Sequence, residues 1–366
     1  MILKNGLVFG EKDFSRRDVY INSAHQIVPE PEGGDEAVID AEGLYVLPGL
    51  LDVHIHGAVG CDFCDGNGES LSQIAAYLHA SGVTSFCPTS MTLPEERLSE
   101  IFKSISEVKE DGQHSHIAGI HMEGPFLSSA KKGAQKESYL RNPDVAMFRR
   151  LNEAAGGRIR LVTIAPELPG ADEFITELKD QAAISLGHST ASYDTAARAF
   201  QKGACHATHL FNAMPPFLHR EPGIIGAAAD NENVMVEIIC DGIHLHPSVI
   251  RSVFRLFGDD RVILISDAMR ATGMADGEYE LGGQPVIKKG RRAALADGTI
   301  AGSATNLYDC MRNAVSFGVP LFSAVKAATR NPAKSIGAQD SIGSLAPGAR
   351  ADIVLADREL NLVRVI

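Results

Sequence analysis

The sequence predicts an α/β protein: a (β/α)8 TIM-like barrel joined to a small β-sandwich domain built from both chain termini. Three observations carry this. From residue 47 to about 269, short apolar runs alternate with amphipathic, helix-like stretches. Strands that are apolar throughout and separated by helices belong in a parallel sheet covered on both faces. Eight such units over about 220 residues suit a barrel, whose typical size is about 250. Both chain ends differ, holding alternating runs broken by turn residues.

In chain order, alternating runs occupy 3–10, 19–28 and 37–46, with turns such as Pro31-Glu-Gly-Gly34 between them. Strand candidates follow at 49–56, 83–88, 116–122, 159–165, 182–187, 204–210, 234–240 and 261–266. Helical spacing marks Ser70-Leu-Ser-Gln-Ile-Ala-Ala-Tyr-Leu-His79, Pro94-Glu-Glu-Arg-Leu-Ser-Glu-Ile-Phe102 and the segment 247–257. In the last of these, Pro247 stands at a first helical position, where its missing N–H costs nothing. Residues 351–357 and 360–366 read as two further strands that pair with the N-terminal piece. The implied domains are 1–47 with 345–366, and 48–344. A doubly wound open sheet is the structural alternative, but the glycine-rich phosphate turn expected after its first strand is missing. There is no low-complexity tract and no solenoid period.

Composition narrows the function. A hydrophobic share of 45% with 22% charged residues is ordinary for a globular domain. No uninterrupted apolar stretch approaches 18 residues, so no membrane span is expected. The start, Met1-Ile-Leu-Lys-Asn-Gly6, lacks a basic region followed by an apolar core, so no signal peptide is expected. Six cysteines in 366 residues make no disulfide framework, and several lie in apolar runs, as buried thiols of a reducing cytoplasm do. Cys61 and Cys64 form a C-x-x-C pair without a second pair at zinc-ribbon distance, and read as loop or core thiols. A net charge of −12 argues against nucleic acid but leaves room for a small anion in a local basic pocket.

The chemistry is concentrated at strand ends, where a barrel places its active site. Leu47-Pro-Gly-Leu-Leu-Asp-Val-His-Ile-His-Gly57 puts His54 and His56 on one side of a strand tip, because residues i and i+2 share a face. Gly119-Ile-His-Met-Glu-Gly-Pro125 brings Glu123 to the third tip, and Ile184-Ser-Leu-Gly-His-Ser189 brings His188 to the fifth. Thr208-His-Leu-Phe-Asn-Ala-Met214 adds His209, Cys240-Asp-Gly-Ile-His-Leu-His246 adds Asp241 and His244, and Ile263-Leu-Ile-Ser-Asp-Ala-Met269 adds Asp267. Imidazoles and carboxylates gathered in one pocket are costly unless a divalent cation compensates them.

The pattern of H-x-H, two further histidines and a final aspartate resembles the amidohydrolase superfamily. Within it, His121-Met-Glu-Gly-Pro-Phe126, Lys131-Lys-Gly-Ala134, Thr208 to Met214, Asp241-Gly-Ile-His244 and Ser266-Asp-Ala-Met269 look like the N-acetylglucosamine-6-phosphate deacetylases. The likeness runs from Met1 to about Leu355. It implies a hydrolase that releases acetate from an amino-sugar phosphate. It also implies Glu123, His188 and His209 as ligands of the catalytic metal, with His54 and His56 available to a second ion, and Asp267 as general acid/base. Ala134, Gln135, Asn212, Ala213, Arg220, Asp241, His244, Ile300, Ala301 and Gly302 match substrate-contacting positions. Zn²⁺ or Fe²⁺ suits the donors, as do Mn²⁺ and Co²⁺, in one or two ions per subunit. The family's members are commonly dimers in which the phosphate-binding arginine comes from either subunit.

Residue chemistry agrees. Asp267 can take a proton from water that a cation has acidified and pass it to the departing amine. His244 can hydrogen-bond the carbonyl or a sugar hydroxyl. Arg220 can fork onto two phosphate oxygens, with His219 and Asn212 close in sequence. His121 reads as support for Glu123, His206 and His246 as core or rim residues, and Lys131 and Lys132 as a solvated loop. The galactosamine epimer, a cyclic amide and a non-enzymatic scaffold stay open as alternatives.

Overall fold

Strands form where the apolar runs lie, side by side in chain order. The computed structural model describes residues 1–33, 36–105 and 114–366. Gly34 of the turn noted above lies outside the described residues. The barrel strands are β1 (Leu50–Ile55), β2 (Val83–Ser90), β3 (Ile120–Glu123), β4 (Ile159–Ile164), β5 (Ala183–Leu186), β6 (His206–Ala207), β7 (Met235–Ile239) and β8 (Val262–Ile265). Each pairs in parallel with the next.

Closure comes just past the end of β8. Ile55 bridges Ala268 in parallel. Asp267 N–H donates to His54 O, and His56 N–H donates to Ala268 O, each at 2.9 Å. Lower in the seam, Asp52 accepts from the Ser266 hydroxyl and backbone N–H. Closing the barrel therefore sets the β1 histidines beside Asp267.

Two strand readings need correction. The run 116–122 splits into His116–Ile117, which pairs with β2, and β3. The run 204–210 shrinks to His206–Ala207, because the backbone turns at His209 with φ of 29°. The helices are α1 (Gly68–Ala80), α2 (Glu95–Ser104), α3 (Val145–Ala154), α4 (Ala171–Leu178), α5 (Tyr193–Lys202), α6 (Gly223–Ala229), α7 (Pro247–Phe257), α8 (Leu307–Ser316), α9 (Leu321–Ala328) and α10 (Arg330–Ser335). Their starts follow local chemistry. Asn67, Asp144, Ser192 and Asn306 cap α1, α3, α5 and α8 through side-chain oxygens, and Pro247 opens α7 behind the His246 cap.

Both chain ends build two small sheets. One orders strands Ile27–Val28, Val19–Ile21, Ile2–Lys4 and Val38–Asp40; the other orders Leu362–Val365, Ile353–Ala356, Tyr45–Pro48, Leu7–Phe9 and Phe14–Arg16. Leu3, Val19 and Ile21 from the first and Val8, Val46, Ile353 and Leu355 from the second share one buried core, as in a sandwich. The sandwich leans on α9 and α10: Phe9 stacks on Phe322 at 4.8 Å, and Arg330 donates to the carbonyls of Gly10 and Glu11.

A third small sheet, Gly277–Leu281, Gln284–Lys289 and Arg292–Ala294, is absent from the sequence reading. Its first turn is Gly282-Gly283, both at positive φ, which a two-residue type I′ hairpin demands. Leu281, Val286 and Ala293 pack with Met91, Ala134 and Met269 beside the barrel mouth.

The main core lies between strands and helices. Phe174 of α4 is fully buried and meets Phe126 at 5.1 Å and Phe148 at 5.7 Å, so it props the loop that leaves β3 after Glu123. Phe174→Ala should cost about 3–5 kcal/mol through lost burial and the cavity left behind. Val363→Ala, at an exposed edge, should stay within about 0.5 kcal/mol. Denaturant unfolding of both variants checks the contrast, and similar losses would contradict it.

Candidate active site

At the C-terminal mouth of the barrel, one carboxylate faces four imidazoles. Glu123 Oε1 lies 3.1 Å from both His188 Nε2 and His209 Nε2, and 3.5 Å from His54 Nε2. Its Oε2 lies 3.3 Å from His56 Nε2 and accepts from Gln135 Nε2 at 2.9 Å. Asp267 Oδ1 approaches the same centre, 3.3 Å from His56 Nε2 and 3.6 Å from His54 Nε2. The strand-end residues singled out in the sequence thus converge.

Three rings are held from behind, which aims their Nε2 atoms. His188 Nδ1 donates to Lys131 O at 2.8 Å, His56 Nδ1 to Thr89 O at 3.1 Å, and His54 Nδ1 to Glu237 Oε2 at 3.0 Å. Such tethering through the second nitrogen fixes ring and tautomer in metal sites. His188, His209 and Asp267 all have positive φ, of 47°, 29° and 49°, so each turns its side chain across the mouth as its strand ends. His and Asp tolerate this region better than most residues. Gly133 beside them has φ 55°, a conformation that favours glycine.

The electrostatics follow from burial opposed by neighbours. Burial alone would raise the Glu123 carboxyl, but charge on His54 and His188 and hydrogen bonds from His188 and His209 hold it well below the carboxylate range. Burial would likewise raise Asp267, yet His54 and His56 bring it down to about 2. Burial works against a charged His54, and Glu123, Glu237 and Asp267 overrule it, holding the ring well above its usual value. At His121 burial, reinforced by His54, outweighs Glu237 and Glu123 and pushes the ring down to about 3. It bonds Thr163 Oγ1 at 2.8 Å, as a neutral supporting residue does.

The donors fit a divalent cation. His188 Nδ1 gives its proton to a carbonyl, so a neutral ring turns the lone pair of Nε2 toward the Glu123 carboxylate, with His209 Nε2 only 3.0 Å away. His54 Nε2 is buried without a hydrogen-bond partner among the described residues. A cation resolves both conditions. Glu123, His188 and His209 form one such group and His54, His56 and Asp267 an adjoining one.

These residues floor a cleft of about 360 Å³ that His56, Glu123, Ala134, Gln135, His188, His209, Asn212, Ala213, His244, Asp267, Ile300 and Gly302 help to line, with Lys131, Leu281 and Thr299. Ala301, Asp241 and Arg220 lie outside this lining. Ala301 is fully buried, its N–H bonded to Ala293 O. Asp241 is buried and accepts from His244 Nδ1 at 2.7 Å, so it orients that ring. Gln135 spends its amide on Glu123 and the Thr92 N–H. Arg220 is exposed, 2.7 Å from His219, and lines a separate surface pocket with Tyr193, Leu218 and Asp230. His206 is buried in the barrel beside Ser185, while His246 caps α7 at the rim. All six cysteines are free.

Two residues escaped the sequence reading. Glu237 interrupts the apolar run of β7, where a charge needs a reason. Asp52 shares the alternation of His54 and His56. Those two signals were available.

The amidohydrolase family matches residues 45–365. The chain belongs to the amidohydrolase family. An N-acetylglucosamine-6-phosphate deacetylase of Bacillus subtilis (strain 168) is 37% identical, the match covering 100% of this chain and 92% of that one. An N-acetylgalactosamine-6-phosphate deacetylase of Escherichia coli O157:H7 is 33% identical, covering 90% and 88%. Among solved structures, a mutant N-acetyl-D-glucosamine-6-phosphate deacetylase of Mycobacterium smegmatis, in complex with N-acetyl-D-glucosamine-6-phosphate, superposes with a TM-score of 0.91 at 34% identity over 100% of this chain and 97% of that one. Glu123, His188 and His209, and His54, His56 and Asp267, are the groups of this amidohydrolase that could hold its cation.

The two donor groups should separate on mutation. His188→Ala and His209→Ala should each lose bound cation, since Glu123 and the two histidines make a complete three-ligand set. His54→Ala should lose less. Elemental analysis of the purified variants checks this, and equal loss in all three would place one shared ion between the groups.

Proposed function

We propose that this amidohydrolase removes acetyl from N-acetyl-D-glucosamine 6-phosphate, giving D-glucosamine 6-phosphate and acetate. The observation that carries the reading is Asp267, held ionised in the mouth of the cleft against the Glu123, His188 and His209 group. Relatives of nearly full-length similarity named for this reaction support it.

The ligand residues would hold Zn²⁺ or Fe²⁺, and Mn²⁺ or Co²⁺ also suits imidazole and carboxylate donors. His54 and His56 would serve a second ion. When bound, the cation supplies Lewis acidity at the amide carbonyl and acidifies water. Asp267 accepts the proton of the attacking water and delivers it to the amine nitrogen as the C–N bond breaks. His244 is set for the opposite task. Burial disfavours its charge, but the bond to Asp241 raises its pKa, and in the protonated ring, with Nδ1–H given to Asp241, Nε2–H can donate to a carbonyl or sugar oxygen. Gln135 keeps the Glu123 carboxylate in place.

The substrate phosphate needs a cation of its own, and Arg220 is the arginine for it. Phe217 and Leu218, on the same loop, are both 48% exposed. A second copy packing there would cover them and bring Arg220 to the neighbouring cleft, so we assign a homodimer. We also assign the enzyme to the cytoplasm, with no nucleic acid or membrane partner. Among the described residues, no helix is long and apolar enough to cross a membrane. The domain division remains 1–47 with 345–366 against 48–344.

Asp267→Asn should keep its cation but lose turnover, because an amide cannot shuttle the proton. General acid/base catalysis is worth about 10²–10⁴-fold. Acetate release and cation content are measured on one preparation, on both the gluco and galacto substrates; more than about a tenth of parental kcat would remove Asp267 from the mechanism. A faster galacto substrate would reassign the sugar.

Arg220→Ala should weaken use of the phosphorylated sugar by about 2–5 kcal/mol in kcat/KM, the scale of truncating one partner of a desolvated charge pair. Unphosphorylated N-acetylglucosamine should be turned over as before. Equal losses on both sugars would make Arg220 structural and remove the phosphate assignment.

A further inference from the structure

Glu237 has no part in the reaction as drawn. It lies in β7 between Met235 and Ile239 and is fully buried, outside the lining of the cleft. A buried carboxylate is costly unless donors surround it. Here a single oxygen, Oε2, accepts from His54 Nδ1 at 3.0 Å and from the His209 backbone N–H at 3.1 Å. Its other oxygen lies 3.7 Å from His206 Nδ1.

A carboxylate can only accept. When His54 is neutral, as a cation ligand must be, its one proton is therefore held on Nδ1, leaving the Nε2 lone pair to face Glu123 and Asp267. The His54 ring cannot turn away, because His121 packs edge to face against it at 4.5 Å between centroids. At His209 the same oxygen holds a backbone with φ of 29°, a sparsely populated conformation that surrounding structure must enforce. One oxygen thus joins a ligand on β1 to a ligand past β6 from inside the barrel.

We propose that Glu237 is a positioning residue for the cation site, holding His54 in its Nδ1–H tautomer and His209 in its strained backbone so that both Nε2 atoms converge on Glu123. The inference rests on the reading of Glu123, His188 and His209 as cation ligands.

Glu237→Leu removes the acceptor at similar bulk, while Glu237→Gln keeps a carbonyl oxygen that can accept both bonds. Metal-stripped full-length parent and variants are titrated with Zn²⁺ by calorimetry. The ring ¹⁵N shifts of His54 are read in the zinc-loaded proteins. The leucine variant should bind about ten- to a hundredfold more weakly, the usual effect of losing an outer-shell partner, and should lose the single Nδ1–H signature. The glutamine variant should recover most of both. Undiminished binding in the leucine variant, or a glutamine variant as weak as leucine, overturns the proposal. If the leucine variant does not fold, the glutamine variant decides alone: it must retain the Nδ1–H signature and bind within about tenfold of the parent, and failure on either count overturns it. His188→Ala runs in parallel. If it too binds Zn²⁺ undiminished, the cation reading has failed, separately from the assignment of Glu237.

Discussion

The buried carboxylate of Glu123 is the constraint on which this structure turns. It sits within 3.1–3.5 Å of four imidazole Nε2 atoms drawn from β1 and from the ends of β5 and β6. No apolar packing would assemble such a group, since each member pays a desolvation penalty that only its neighbours or a cation offset. What assembles it is the parallel register of the strands. A slip of one residue in β1 would turn both histidines to the other face. The seam bonds from Asp267 N–H to His54 O and from His56 N–H to Ala268 O exclude that slip. Barrel closure and site assembly are one condition.

The cost of the site is spread through backbone as well as charge. His188, His209 and Asp267 occupy left-handed conformations worth about 1–3 kcal/mol each in strain. Each is over-determined by what surrounds it. Ser128 N–H donates to His188 O, Asn212 N–H to His209 O, and Ser303 N–H to Asp267 O. The apolar shell, with Phe126, Phe148 and Phe174 at its centre, supplies the stability that such strain draws on.

Much of this was legible because two periods are written plainly in the chain. Apolar runs of strand length gave the barrel order. The spacing of His54 and His56 gave a shared face, and strand ends located Glu123, His188, His209 and Asp267. The hairpin at 277–294 was missed although Gly282-Gly283 marks its turn, because its strands carry Glu, Lys and Arg rather than apolar residues. Partnerships across the barrel were not legible at all. That Glu237 would meet His54, 183 positions away, depends on which strands end up opposite each other. That Gln135 would bond Glu123 and Asp241 would bond His244 was likewise not legible.

The same logic explains how a chain of net charge −12 can serve an anionic substrate. The cleft is not a sample of the surface. Its two carboxylates are already compensated by His54, His56, His188 and His209, so they repel an incoming phosphate less than their number implies. A cation at the floor would take over that compensation from the imidazoles, which ligate as neutral rings, and His244 at the wall adds a donor to the cleft. The phosphate, at the far end of the sugar, needs its own positive group beyond this centre. Within one chain Arg220 stands over a different pocket. On the proposal that Arg220 binds the phosphate, its place on a loop that also exposes Phe217 and Leu218 would make phosphate recognition depend on association. An isolated subunit would then hold a complete reaction centre and an incomplete binding site.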